Sequence, residues 1–84
     1  MPRVTITLYT STGCPGCPAA RQWLADRNVT YVEQDLTDDD IGRQEMWQAM
    51  QRIALPCLRI DDRWVGGFSY GTWHYALREA ETDE

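Results

Sequence analysis

The feature that most constrains this chain is a Cys14-Pro15-Gly16-Cys17 quartet set between a strand pattern and a helix pattern. Upstream of it, Val4, Ile6 and Leu8 alternate with Thr5, Thr7 and Tyr9, the period-two pattern of a half-buried strand. Ser11-Thr12-Gly13 breaks that strand. From Pro15 a helical pattern follows, with Ala20, Trp23 and Leu24 spaced i, i+3 and i+4, ending near Asn28. A helix start offers unpaired N–H groups and the positive end of the dipole, both of which stabilise an anion. Cys14, at or just before that start, is therefore expected to hold a thiolate below the free-thiol pKa of about 8.5. Cys17 lies one turn further on, close enough to close a disulfide with Cys14 and more shielded. Position then assigns the roles: Cys14 attacks a substrate disulfide and Cys17 resolves the mixed disulfide. Pro15 suits the first helical position. Pro18 does not suit a helix capped by Cys14, because it could not donate the first intrahelical hydrogen bond. Either the cap lies later or a carbonyl near Cys14 finds another partner.

The rest of the chain alternates in the same way. Tyr31 to Asp35 reads as a second strand, with Val32 its clearest core residue. Thr37 is expected to cap a helix that opens on Asp38-Asp39-Asp40, acids that favour the positive dipole end. These acids read as a helix start rather than a calcium loop, which needs alternating acids and a distal Glu. Met46, Ala49, Met50 and Ile53 form that helix's apolar stripe. Pro56 to Ile60 is a third strand, Asp61-Asp62 a two-residue turn, and Arg63 to Gly66 a fourth strand. Gly66-Gly67 ends it, and Ser69 can cap a last helix with the stripe Trp73, Ala76, Leu77 and Ala80. The order βαβ then αββα predicts a right-handed parallel crossover followed by an antiparallel hairpin. The expected fold is α/β, a four-stranded mixed sheet flanked by three helices. At 84 residues the chain allows one domain, residues 1–84, with an acidic tail over 81–84 expected to fray.

Composition narrows the function. A net charge of −5 argues against a nucleic-acid binder and gives no attraction to anionic lipid. No apolar run approaches the ~20 residues of a membrane span. The first residues carry no long apolar segment, so no signal peptide is expected. Together with an odd cysteine count, this points to a reducing, cytoplasmic setting. All eight basic residues are Arg, so a site that needs lysine is excluded. A bridge across so short a loop constrains the unfolded chain little. Stability must come from packing, for which four Trp and four Tyr supply apolar area.

Three other features bear on chemistry. Leu55-Pro56 heads the third strand, where proline is tolerated. It reads either as a breaker ending the preceding helix or as a cis proline that offers Leu55 backbone groups to an extended substrate. The Cys-x-x-Cys spacing also occurs in zinc sites, which need four ligands. The further candidates are Cys57, His74 or carboxylates, so the alternative to a redox pair is a metal or iron–sulfur module using Cys14, Cys17 and Cys57. With a single cysteine knuckle, the redox reading is preferred and no metal is expected. Strand alternation puts Cys57 and Arg59 on one face and Leu58 and Ile60 on the other. Cys57 is expected to be partly exposed beside the site, as a small hydrophobe, a third redox thiol or a glutathionylation site. His74 reads as a surface histidine. Trp23 and Trp73 read as core, and Trp47 and Trp64 fall off the apolar stripes.

Leu8-Tyr9-Thr10, Cys14-Pro15-Gly16-Cys17, Leu55-Pro56 and Gly66-Gly67 stand in the register of a glutaredoxin, which the chain resembles from Val4 to Ala80. The resemblance implies the thioredoxin-like fold and thiol–disulfide oxidoreductase activity on protein or mixed disulfides. It implies Cys14 as nucleophile, Cys17 as resolving cysteine and Pro56 as a cis proline. It carries substrate-binding positions onto Ser11, Pro15, Gly16, Leu55, Gly67, Phe68, Ser69 and Tyr70. It implies no bound cofactor beyond the redox-active Cys14–Cys17 disulfide, with glutathione as a reductant. The departures are specific. Ser11 stands where the family usually has lysine, Gly16 where it has an aromatic, and Ala54 where it has threonine. Ser69-Tyr70 replaces the family's acidic pair. The chain also resembles NrdH-type redoxins in Leu55-Pro56 and Gly67-Phe68. Those proteins take electrons from thioredoxin reductase and reduce ribonucleotide reductase. The partners implied are a disulfide-containing protein client, ribonucleotide reductase among the candidates, and glutathione or thioredoxin reductase as electron donor. A monomer without nucleic-acid or membrane partners is expected. Phe68 and Tyr70 would offer a protein partner an apolar contact, or Phe68 would pack in the core.

Overall fold

A computed structural model describes residues 4–82. In chain order the elements are β1 (Ile6–Thr10), α1 (Cys17–Asp26), β2 (Val32–Asp35), α2 (Asp40–Met50), β3 (Cys57–Ile60), β4 (Arg63–Gly66) and α3 (Tyr70–Thr82). The sheet order is β2-β1-β3-β4. β2 runs parallel to β1, and β3 is antiparallel to both β1 and β4. This is the mixed four-stranded sheet with three helices that the element order predicts.

The pleat sorts the core into two layers. Leu8 stands opposite Leu58, which stands opposite Val65. This row packs with Ala20, Trp23 and Leu24 of α1 and Trp73, Ala76 and Leu77 of α3. One residue along, Tyr9 stands opposite Cys57 on the other face. There they pack with Leu36 and with Met46 of α2. Two helices therefore cover one face and a single helix covers the other. Asp61-Asp62 makes the two-residue turn between β3 and β4, with Ile60 paired to Arg63.

Several local expectations are corrected. Val32 is 60% exposed, not core. β2 is an edge strand, and the lone helix on its face reaches Tyr9 and Leu36 but not the Val32 end. The buried residue of this segment is Leu36, whose N–H extends the ladder to the Thr10 carbonyl at 2.8 Å. The N-cap of α2 is Asp39, not Thr37; its carboxylate accepts from the Gly42 N–H at 2.9 Å. α2 ends at Met50 because Gln51 turns left-handed, with φ 60°. Ile53 therefore lies outside the helix and is exposed, and Ala49 is exposed as well. α1 is capped by Gly16 and stops at Asp26, ahead of a left-handed Asn28. Of the tail expected to fray, Glu81 and Thr82 continue α3, and Asp83 and Glu84 lie outside the described residues. Among the described residues no helix is long and apolar enough to cross a membrane.

Candidate active site

The loop from β1 to α1 carries the cysteine pair. Ser11 to Cys14 form a β-turn, closed by the Cys14 N–H donating to the Ser11 carbonyl at 3.3 Å. Gly13 takes φ +79° there, a conformation that costs glycine nothing. The first helical bond runs from the Ala20 N–H to the Gly16 carbonyl, at 3.1 Å. Cys14 therefore precedes the cap by two residues, rather than being the cap itself. The late cap also resolves the difficulty with Pro18. It occupies the second helical position, where a missing N–H leaves nothing unpaired.

Cys14 and Cys17 are joined by a disulfide, with Cα atoms 5.5 Å apart. The two sulfurs differ in access. Cys14 is half-buried on the loop, whereas Cys17, the first residue of α1, is 1% exposed. The Cys17 N–H donates to the Cys14 carbonyl at 3.4 Å. Pro15 is exposed between them.

The Leu55–Pro56 peptide is cis. Pro56 is buried, and its ring faces Gly16: a Cβ added at Gly16 would lie 3.2 Å from Pro56 Cδ. Leu55 packs on the α2-side core. Cys14, Gly16, Cys17 and Pro56 are thus gathered into one place, and Ser11 anchors the turn that presents Cys14.

The remaining candidates form their own group at the entry to α3. The Gly67 carbonyl accepts from the Trp73 indole N–H at 2.9 Å, and the Ser69 carbonyl accepts from the Trp73 N–H at 2.9 Å. Phe68 is half-buried and meets Trp73 and Tyr70 edge-on, with centroids 4.9 and 4.8 Å away. It also meets Trp23 of α1 edge-on. Phe68 is thus a cap on the α1–α3 core, whereas Tyr70 is 63% exposed.

Cys57 corrects the sequence reading. Its face is the expected one, but α2 covers that end of the face and leaves Cys57 0% exposed. Burial pushes its thiol up from 9.0 to about 12. Its Sγ lies 3.8 Å from Met50 Sδ. Among the described residues no group of three or more His, Cys, Asp or Glu is placed to hold a metal ion, so the three-cysteine module is not assembled.

Two polar contacts next to the site escape sequence reading. Arg21 of α1 grips Glu33 of β2 with Nε and Nη2 at 2.8 and 2.9 Å, and the buried Thr10 hydroxyl donates to Glu33 at 3.2 Å. The Arg21 hydrogen bonds hold the Glu33 carboxyl below its ordinary value. Thr37, expected as a cap, instead accepts from the Thr12 N–H at 2.7 Å. Both contacts join residues far apart in sequence, so no local pattern announces them.

Comparison with known proteins agrees with this architecture. The family model described as Glutaredoxin matches residues 6–65. The chain is 28% identical over 64 residues to an uncharacterized glutaredoxin-like 8.6 kDa protein in the rubredoxin operon of Clostridium pasteurianum, covering 76% of this chain and 85% of that one. It is 29% identical over 62 residues to glutaredoxin 3 of Escherichia coli (strain K12), covering 74% of this chain and 75% of that one. The crystal structure of the thioredoxin-like protein BC3987 superposes with a TM-score of 0.76 at 28% identity, covering 84% of this chain and 97% of that one.

Proposed function

Because this chain belongs to the glutaredoxin family, we propose that it works as a small dithiol–disulfide electron carrier that reduces disulfides of a protein client. The observation that carries this reading is the unequal access of two bonded sulfurs, Cys14 reachable on its loop and Cys17 buried at the first position of α1. In the reduced protein the Cys14 thiolate attacks one sulfur of the client disulfide. That bond breaks, its second sulfur leaves as a thiolate and takes a proton, and a mixed disulfide joins Cys14 to the client. Cys17, as thiolate, then attacks Cys14 Sγ and expels the client's remaining sulfur. Two electrons pass to the client, and the Cys14–Cys17 disulfide is left behind. Two molecules of glutathione, which leave as glutathione disulfide, or the dithiol of thioredoxin reductase return it to the dithiol.

Pro56 and Leu55 position an extended client segment beside Cys14, and Ser11, Pro15, Gly16, Gly67, Phe68, Ser69 and Tyr70 border it. Exposed Tyr70 and half-buried Phe68 favour an apolar protein surface over glutathione alone, as do Ser11 and Gly16, which replace a lysine and an aromatic of the resemblance. Ribonucleotide reductase is the client we propose on the NrdH-type likeness, with a monomeric, cytoplasmic carrier supplying the electrons.

The test uses the two single serine variants on an insulin-type protein disulfide. Cys14→Ser is expected to abolish reduction, and Cys17→Ser to accumulate a mixed disulfide through Cys14. Turnover that survives Cys14→Ser removes the mechanism. Recycling of the oxidised protein with NADPH then separates the donors: fast turnover with glutathione and its reductase alone rejects the NrdH-type reading.

A further inference from the structure

The turn that presents Cys14 is tied down from a distant part of the chain. Thr12 is the second residue of the Ser11–Cys14 turn, and its N–H takes no part in the turn's closing bond. That N–H donates to Thr37 Oγ1 at 2.7 Å, and the two threonine hydroxyls lie 3.1 Å apart, with Thr37 donating. Thr37 is itself held on two further sides. Its N–H donates to Asp35 Oδ1 at 2.8 Å, and its carbonyl accepts from Arg43 Nη2 of α2 at 3.0 Å. The Thr37 side chain is thus committed to the cysteine loop, and Asp39 takes over the capping of α2.

We infer that Thr37 is a positioning residue for Cys14, its hydroxyl holding the Thr12 amide and, through the Ser11–Cys14 turn, setting where the Cys14 sulfur stands. This role rests on Cys14 being the nucleophile. The six residues from Ser11 to Gly16 join a strand that ends at Thr10 to a helix that starts at Cys17; besides their local backbone bonds and the Gly16–Pro56 contact, Thr37 holds them at Thr12. A thiolate gains from a nearby helix start only while it is held there, because that field fades within about one turn. Releasing Thr12 lets the turn swing, and the Cys14 thiolate loses part of that stabilisation.

The test compares reduced wild type, Thr37→Val and Thr37→Ser. Valine keeps the shape and removes the acceptor, whereas serine keeps the acceptor. The readouts are Thr12 amide exchange by NMR, the pH midpoint for Cys14 alkylation by iodoacetamide mapped by mass spectrometry, and the urea midpoint as a measure of fold. Thr37→Val is expected to speed Thr12 exchange and raise the alkylation midpoint by about half a unit, about threefold slower reaction at a pH well below the midpoint. Thr37→Ser is expected to restore both. A Thr37→Val midpoint equal to wild type overturns the role, and so does a Thr37→Ser that behaves like valine. The two failures separate cleanly. Turnover surviving Cys14→Ser removes the nucleophile itself. Turnover lost in Cys14→Ser beside an unmoved Thr37→Val midpoint rejects the positioning role alone.

Discussion

Gly16 and Pro56 pack so closely that a methyl group added at Gly16 would stand 3.2 Å from Cδ of the proline ring and 3.7 Å from Cγ. The loop that carries the cysteines and the loop that enters β3 meet at this point. Gly16 has φ −89°, which any residue adopts, so its backbone does not demand glycine. The neighbour does. The aromatic that the family resemblance puts at this position could be housed only by moving a buried ring or by turning away from it.

Gly16→Ala tests that contact. The added Cβ must displace Pro56 by a few tenths of an ångström, and alanine is a poorer N-cap than glycine. Stability is expected to fall by about 1 kcal/mol in urea unfolding. Disulfide reduction is expected to slow several-fold, because the proposed mechanism lays the client segment against Pro56. Wild-type values of both quantities would show that the ring yields freely.

The site's chemical centre was legible because it is local: two cysteines and two prolines lie in four consecutive residues and the next, between a strand pattern and a helix pattern. Leu55-Pro56 was legible only through its register with the other landmarks. What failed to show was whatever depends on which helix crosses which strand. Alternation put Cys57 on the right face, but only the path of α2 over the Tyr9 end made that face dry. The same path leaves Val32 wet. Thr37 was read by the local rule for caps, while its partner Thr12 lies 25 residues away.

Cys57 is expected to be chemically silent in the native state. With its thiol pushed up to about 12 and its side chain fully covered, the reduced protein should show two fast thiols to Ellman's reagent at pH 8 and a third only in urea. The sign of its linkage also follows. The unfolded state ionises near 9.0 and the folded state near 12, so this group's stability is present below 9.0 and is lost as pH rises toward 12. Cys57→Ala should therefore show a shallower loss of stability than wild type over that range. Three thiols reacting at one rate in native protein would contradict the burial.

The two aliphatic residues of the β2 segment should respond very unequally to substitution. Val32 is 60% exposed, so Val32→Thr is expected to change stability by less than about 0.5 kcal/mol. Leu36 is 0% exposed, between Tyr9 and Met46, so Leu36→Ala is expected to cost about 2–5 kcal/mol. Urea unfolding of both variants decides it. A larger penalty at Val32 would mean that a second element covers β2.

Glu33 links the acid limb of stability to the edge of the site. Its carboxylate accepts two bonds from Arg21 and one from the buried hydroxyl of Thr10, the residue before Ser11. The Arg21 bonds lower its pKa from the ordinary 4.5. A carboxyl depressed by folding adds stability above its unfolded pKa and loses it as pH falls through the folded one. Arg21 and Glu33 are 42% and 32% exposed, so water screens the pair and its contribution at pH 7 is modest, about 0.5–1 kcal/mol. Glu33→Gln keeps an acceptor for Thr10 but removes the charge. It is expected to be less stable than wild type by that amount at pH 7. The gap should close as pH falls below 4.5, because protonated glutamate and glutamine then bind Arg21 alike. Urea unfolding of both proteins between pH 3 and 7 measures the gap. A difference that stays constant across that range would mean the pair acts through packing, and a difference that widens on acidification would contradict the depressed pKa.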